Sequence, residues 1–322
     1  MKTAYLTGAT GCVGRNLVNE LMADAWDIVI LHRKSSDLSR LSGCPVRFQE
    51  VELDRLESVR AAIPTGVEVL FHVAANTSHW SAEAETVWRD NVLATRNLVA
   101  VAIERGVRRF VYTSTGATRP FEHLGEVAAA RIKNVYVRTK RQGELEVYKG
   151  IERGLDAVIL KPTIVVGPYD YNSYAQIFAT MKTSWLKICF PGRIAFCSAV
   201  DVARAHLVAY KKGRTSEAYV LGGPYASWEE MFTLVGRAVG ASRPTVLPEW
   251  LLKPAALLMG LIGRLTGKRP QITADLVDLL ANDPDLTYPE RRKAHIELGY
   301  ESTSLEVMVR SCYDWLIREQ RL

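Results

Sequence analysis

No CxxC pair and no cysteine–histidine spacing of a metal site occurs in this chain, and its five cysteines (Cys12, Cys44, Cys189, Cys197, Cys312) are odd in number. That usage argues against a disulfide framework or a metal site and suits reduced thiols in the cytoplasm. No Lys/Arg run stands out, although the formal charge is +6 and the pI about 9.0. Scattered basic residues argue against nucleic acid and suit an anionic small molecule. Low-complexity linkers and solenoid-length repeats are absent as well. No apolar run is long enough to span a bilayer. The most apolar stretch, WLLKPAALLMGLIGRLTGKR over 250–269, is interrupted by Lys253, Pro254 and glycines. A core or pocket-lining helix is expected there, with peripheral membrane contact through 250–269, edged by Lys268 and Arg269, as the alternative. MKTAYLTGATG enters a strand-like run without a signal-peptide core, so a cytoplasmic chain is expected.

What is present is an ordinary globular composition: 322 residues, 48% hydrophobic and 24% charged. That length suits a large domain with a smaller one attached. Short β-branched or apolar runs (AYLTG, DIVILHR, EVLFHVAA, RFVYTST, AVILKPTIVVG) alternate with helical patterns, one starting near Arg15 and another over 88–105. Such alternation predicts an α/β fold with a doubly wound parallel sheet. After Gly167 the pattern becomes aromatic-rich and then mainly helical, with AYVLGG (218–223) returning to the sheet. The expected division is 1–166 with 198–224 as the dinucleotide-binding domain, and 167–197 with 225–322 as the substrate domain.

TGATGCVG (7–14) follows the first strand and opens a helix. Gly8, Gly11 and Gly14 suit a tight turn, close approach of a pyrophosphate and helix-on-strand packing, with the phosphates against the free N–H groups of Cys12, Val13 and Gly14. An acid at the end of the second strand would mark NAD. LHRKSSD stands there instead, with Arg33 and Lys34 at the position of a 2′-phosphate, so NADP(H) is expected in preference to NAD(H).

Tyr136 and Lys140 in YVRTK lie four residues apart on one helical face. Tyr136 is the only tyrosine with lysine at that spacing. A free phenol titrates near pH 10, and a neighbouring ammonium lowers that value. The pair therefore suits proton transfer to a carbonyl oxygen. RFVYTSTGA places Thr113, Ser114 and Thr115 at the C-terminal edge of a strand, where ligands bind in parallel α/β sheets.

Taken together, TGATGCVG, FHVAA (71–75), NVLATRNL (91–98), RFVYTST, YVRTK and KPTIVVGP (161–168) resemble the extended short-chain dehydrogenase/reductases, most of all dihydroflavonol-4-reductase-like and 3β-hydroxysteroid-dehydrogenase-like members. RKSSDLSRL and the C-terminal RRKAHIELGY resemble those relatives too. The resemblance implies Tyr136 as general acid/base and Lys140 as its acidifying partner and ribose ligand. It further implies Thr115, with Ser114 second, as the carbonyl-polarising hydroxyl and Asn91 as a supporting residue. Ala74 and Ala75 would pass beside the adenosine ribose and phosphates, and Pro162, Thr163 and Ile164 beside the nicotinamide. The family's acid near the adenine corresponds to Glu52 in VELD, followed by Leu53. FCSAVDVA (196–203) lacks the histidine or second acid often found there, so no catalytic role is assigned to it. Homodimers are common in the family and remain an option here.

Nucleotide-sugar epimerases and dehydratases share this fold and pair but carry a polar G-D-G-x-x-x-R stretch that FPGRIAFCSA lacks. His79, Trp80, Tyr169, Tyr174 and Phe178, with Tyr171, Met181 and Trp185, form an aromatic and apolar set suited either to a bulky substrate or to packing. The expectation is an NADP(H)-dependent oxidoreductase for a bulky, rather apolar ketone, with a nucleotide-sugar epimerase/dehydratase as the alternative.

Overall fold

A computed structural model describes residues 2–171, 173–267, 269–270, 272–281 and 289–322. Its strands are β1 (Thr3–Thr7), β2 (Asp27–His32), β3 (Arg47–Glu50), β4 (Val69–His72), β5 (Phe110–Thr113), β6 (Ala157–Pro162), β7 (Ile164–Val166), β8 (Ile188–Cys189), β9 (Arg193–Ser198), β10 (Ala218–Leu221), β11 (Tyr225–Ser227) and β12 (Thr245–Val246). Seven of these make one sheet, in the order β3-β2-β1-β4-β5-β6-β10. Every pairing in it is parallel. The order reverses between β1 and β4, and such a switch opens a crevice at the C-terminal strand ends.

Side chains explain why this sheet is covered on both faces. Alternate residues of a strand point to opposite sides. Ala4, Leu6, Ile28 and Ile30 enter one core, whereas Tyr5, Val29 and Leu31 enter the other. Strands β4, β5 and β6 are buried along their full length. The outermost strand, β3, is exposed throughout, and the charges of RFQE blunt the open edge.

Three local features depart from the expected pattern. The first helix, Cys12–Ala23, begins at the glycine loop rather than near Arg15. The stretch over 88–105 contains a π-helical turn at Arg89–Leu93 between the helices Ala84–Trp88 and Ala94–Glu104. AVILKPTIVVG breaks at Thr163: β6 stays in the large sheet, while β7 joins β9 and β11 in a three-stranded one. That break leaves Pro162, Thr163 and Ile164 at the crevice.

The smaller part has its own core, built on Phe178, Met181, Trp228, Met231, Met308 and Trp315. The helix Pro289–Leu298 differs from the expected division, because Ala294, Leu298 and Tyr300 pack in the core of the large sheet. Among the described residues no helix is long and apolar enough to cross a membrane. The helix expected in a core or pocket wall, Glu249–Thr266, buries only Leu252, Ala256 and Gly263. Its contact is narrow, a small cluster around Val277.

Candidate active site

A cleft of about 1670 Å³ runs along the C-terminal ends of the sheet strands. The glycine loop forms one wall. Gly8 has φ +77°, and a Cβ there would stand 2.6 Å from the Ala74 backbone nitrogen. A Cβ on Gly14 would run into the Gly8 carbonyl. Both positions therefore require glycine. Gly11 caps the helix Cys12–Ala23 without any side-chain hydrogen bond, which leaves the first N–H groups of the helix free for an anion. Cys12, Val13, Ala74 and Ala75 line the same wall, and the Thr7 hydroxyl accepts from the Ala74 N–H at 3.1 Å. A dinucleotide pyrophosphate fits this cradle.

Arg33, Ser35, Ser36 and Arg40 line the cleft at the end of β2. Arg33 is exposed. Arg40, which the sequence pattern did not single out, is held by Asp37 at 3.1 Å and by the Thr10 carbonyl at 3.3 Å, and its guanidinium stacks 3.9 Å from the Tyr171 ring centre. Glu52 and Leu53 line this end too. The Glu52 carboxylate is paired with Arg55 at 2.8 Å.

At the other end, Tyr136, Lys140 and Thr115 converge on the cleft. Helix Val135–Glu152 starts at Asn134, whose side chain accepts from the Val137 N–H and meets His79 at about 3 Å. His79 lies against the Tyr136 ring, with centres 5.1 Å apart. Burial draws the His79 imidazole down to about 4, so it is neutral near pH 7. The three hydroxyls of β5 and its edge have different partners. Thr113 bonds the His206 ring at 2.7 Å, Ser114 bonds the Glu144 carboxylate, and the Thr115 hydroxyl accepts from the Ala117 N–H at 3.3 Å and stands near the Tyr136 hydroxyl, whose pKa it lowers.

The Lys140 ammonium is not directed at the Tyr136 hydroxyl. Burial pushes the phenol up to about 12, opposed by the Thr115 hydrogen bond. The Lys140 ammonium instead donates to the Thr113 carbonyl at 2.7 Å and lies 4.4 Å from the Tyr112 ring centre. Burial draws Lys140 down to about 7, while Glu144 pulls it back up. Behind the pair, Glu144 is fully buried and meets Arg141 at 2.9 Å and Lys161 at 3.1 Å. Glu144 follows Lys140 by four residues, as Lys140 follows Tyr136; that shared helical face is the signal that sequence reading passed over.

Asn91 does not line the cleft. It sits in the π-helical turn, accepts from the Asn76 N–H at 2.7 Å, and donates to the Asn76 carbonyl at 2.9 Å and the Thr139 hydroxyl at 3.0 Å. It thus ties the segment after β4 to the helix carrying Tyr136. Pro162, Thr163 and Ile164 line the cleft beside this end.

The aromatic set divides. His79 and Tyr174 line the cleft, with Tyr174 stacked on Trp228. Tyr169 lines it at the glycine-loop end, with its ring 4.6 Å from the Arg15 guanidinium, because the Pro168 carbonyl is tied to Asn16 of the first helix at 3.1 Å. Trp80 and Phe178 stand outside the lining. Phe178 and Met181 are core residues of the smaller part, and Trp185 is 92% exposed. In their place Ile177, Phe190, Trp228, Phe232 and Leu276 line the apolar end. No cluster of His, Cys, Asp and Glu among the described residues is arranged to hold a metal.

Residues 4–222 match the NAD dependent epimerase/dehydratase family, and that span carries the glycine loop, Thr115, Tyr136 and Lys140. The chain belongs to this family. The chain is 27% identical to a Synechocystis sp. protein provisionally named a dihydroflavonol 4-reductase, over 97% of this chain and 93% of that one. It is 31% identical to sterol demethylase protein B of Methylococcus capsulatus, over 80% of both. A crystal structure of gox2253 superposes with TM-score 0.82 at 27% identity, covering 100% of both chains. Membership of the extended short-chain dehydrogenase/reductases makes this protein an NAD(P)-dependent enzyme acting on CH–OH or C=O.

Proposed function

We propose that this family member is an NADP(H)-dependent reductase of a bulky, rather apolar ketone. The observation that carries the proposal is one continuous cleft. It joins a glycine cradle and Arg33 at one end to Thr115 and Tyr136 at the other, and ends in a wall of Tyr174, Ile177, Phe190, Trp228, Phe232 and Leu276. Gly8, Gly11 and Gly14, with the N–H groups of Cys12 and Val13, would hold the pyrophosphate; Arg33 would meet the 2′-phosphate and Glu52 and Leu53 border the adenine. When bound, the nicotinamide supplies or accepts the hydride. Thr115 holds the carbonyl oxygen, and Tyr136 gives it a proton. A phenol displaced upward by burial carries its proton at neutral pH and can donate it to the forming alkoxide; in the reverse direction the same group takes the proton back. Lys140 fixes the strand edge through the Thr113 carbonyl and would face the ribose. Five free thiols suit a reducing, cytoplasmic setting.

The test is NADPH consumption against a panel of bulky cyclic ketones and UDP-sugars. Ketone-dependent oxidation is expected, with Tyr136→Phe lowering turnover by about 10²–10⁴-fold while cofactor binding is retained. Sugar isomerisation or dehydration without net cofactor consumption would replace this reading with the epimerase/dehydratase one. Arg33→Ala is expected to weaken NADPH more than NADH, since the 2′-phosphate is the only group that distinguishes them; equal losses would overturn the NADP assignment.

A further inference from the structure

Helix Glu249–Thr266 presents its larger apolar side chains to solvent. Trp250, Leu257, Leu258, Leu261, Ile262 and Leu265 are all exposed, Trp250 at 71% and Leu265 at 80%. Their spacing forms one stripe along a helix about 27 Å long. The opposite side, toward the protein, carries Leu252, Ala256 and Gly263. A surface helix normally shows the reverse distribution, and a contiguous apolar face of this kind marks an interaction surface.

Further exposed apolar residues lie near the start of the helix. Strand β8 pairs with β12, and the Thr245 N–H donates to the Lys187 carbonyl at 2.7 Å. The register sets Val246 opposite Cys189, so the exposed Trp185 and Leu186 precede one strand of the pair while exposed Val246 belongs to the other, three residues before the helix. Charge indicates what covers the patch. Segments 182–187 and 249–269 together hold six basic residues (Lys182, Lys187, Lys253, Arg264, Lys268 and Arg269) and one acidic one, Glu249. Of these, Lys268 lies outside the described residues, Lys253 is paired with Glu249 and Asp278 at 2.8 and 2.6 Å, and Arg269 is paired with Glu83 at 3.9 Å. Two exposed tryptophans, an apolar stripe and a basic margin are the features of a helix lying in a lipid–water interface.

We infer that this face docks the protein on an anionic lipid surface, with helix Glu249–Thr266 lying in the plane of the interface. The docked face adjoins the apolar end of the cleft from two sides. Arg269, Pro270 and Ile272, just beyond the helix, line the cleft, and so do Ile188 and Phe190, just beyond the Trp185 loop. The inference goes beyond the reductase reading and does not depend on it, because its readout is binding.

The experiment is co-sedimentation of the full chain with vesicles of phosphatidylcholine containing roughly a quarter phosphatidylglycerol, and with pure phosphatidylcholine, at low and high salt, with tryptophan emission recorded. Binding to the anionic vesicles, a blue shift and weakening at high salt are expected. Leu258→Glu/Leu261→Glu should weaken binding about tenfold or more, through loss of two buried leucines and gain of two negative charges. Lys182→Glu/Lys187→Glu, which leaves the helix untouched, should also weaken it; the two variants together guard against a folding defect in either. No binding to anionic vesicles would overturn the inference, as would binding unchanged in both variants. A concentration-dependent dimer that Leu258→Glu/Leu261→Glu disperses, without vesicle binding, would assign the face to a second copy of the chain instead.

Discussion

Thr113, Ser114 and Thr115 are adjacent and chemically alike, yet each meets a different fate. The Thr113 hydroxyl is taken by His206 and that of Ser114 by Glu144, which leaves Thr115 beside Tyr136. Under the proposed mechanism Thr115→Val removes the hydroxyl that would hold the carbonyl oxygen and is expected to lower kcat about 10²-fold or more, by the scale of a lost oxyanion donor. Thr115→Ser keeps the hydroxyl and should retain most of the activity. Ser114→Ala should act on stability instead, costing about 1–3 kcal/mol in denaturant unfolding with kcat little changed, because it removes a buried donor to the Glu144 carboxylate. The reverse pattern, with Ser114→Ala inactive and Thr115→Val unaffected, would exchange the two roles.

At the scale of elements, helix Val135–Glu152 brings together the candidate acid–base residue and the charges behind it. Asn134 caps its start, and Tyr136, Lys140 and Glu144 follow at intervals of four along one face. Glu144 receives Ser114, Thr118, Arg141 and Lys161 in a site without water access. A carboxylate buried between two cations does not by itself add stability, but removing it leaves their charge uncompensated. Glu144→Gln is therefore expected to cost about 3–5 kcal/mol in urea or guanidinium unfolding. A loss below about half a kcal/mol would mean that Glu122, 2.6 Å from Lys161, neutralises the cluster alone.

Across the whole molecule, two neutral imidazoles connect the sheet to its covering helices. His72 of β4 lies between the Thr7 and Thr95 hydroxyls at 2.9 Å each, and His206 lies between Thr113 and the Val202 carbonyl at 2.7 Å each. Burial draws His72 down to about 3 and His206 to about 4. In the unfolded chain both bind a proton near pH 6.5. Below that pH the unfolded state holds more protons than the folded one, so stability is full above about pH 6.5 and falls as pH drops through 4 and 3. Each group adds up to roughly 1.4 kcal/mol per pH unit to that slope. Unfolding midpoints compared at pH 7.5 and 5 should show the loss; equal midpoints would mean that both rings are already protonated in the fold.

Much of this arrangement was legible in the amino-acid order because its causes are local. A glycine needed at positive φ, apolar strands buried on both faces, and a tyrosine and lysine one helical turn apart are properties of neighbouring residues, and they place the loop, the sheet and the pair. What depended on distant contacts was not legible. Thr163 breaks a continuous apolar run because β9 and β11 offer β7 a second sheet, and Phe178 leaves the cleft because Trp228 and Met308 belong to the core that encloses it. Local spacing sets Lys140 beside Tyr136, but only the fold directs its ammonium to the Thr113 carbonyl. The apolar stretch over 250–269 was visible as composition; which side of it faces water was decided by how little protein surface lies within its reach.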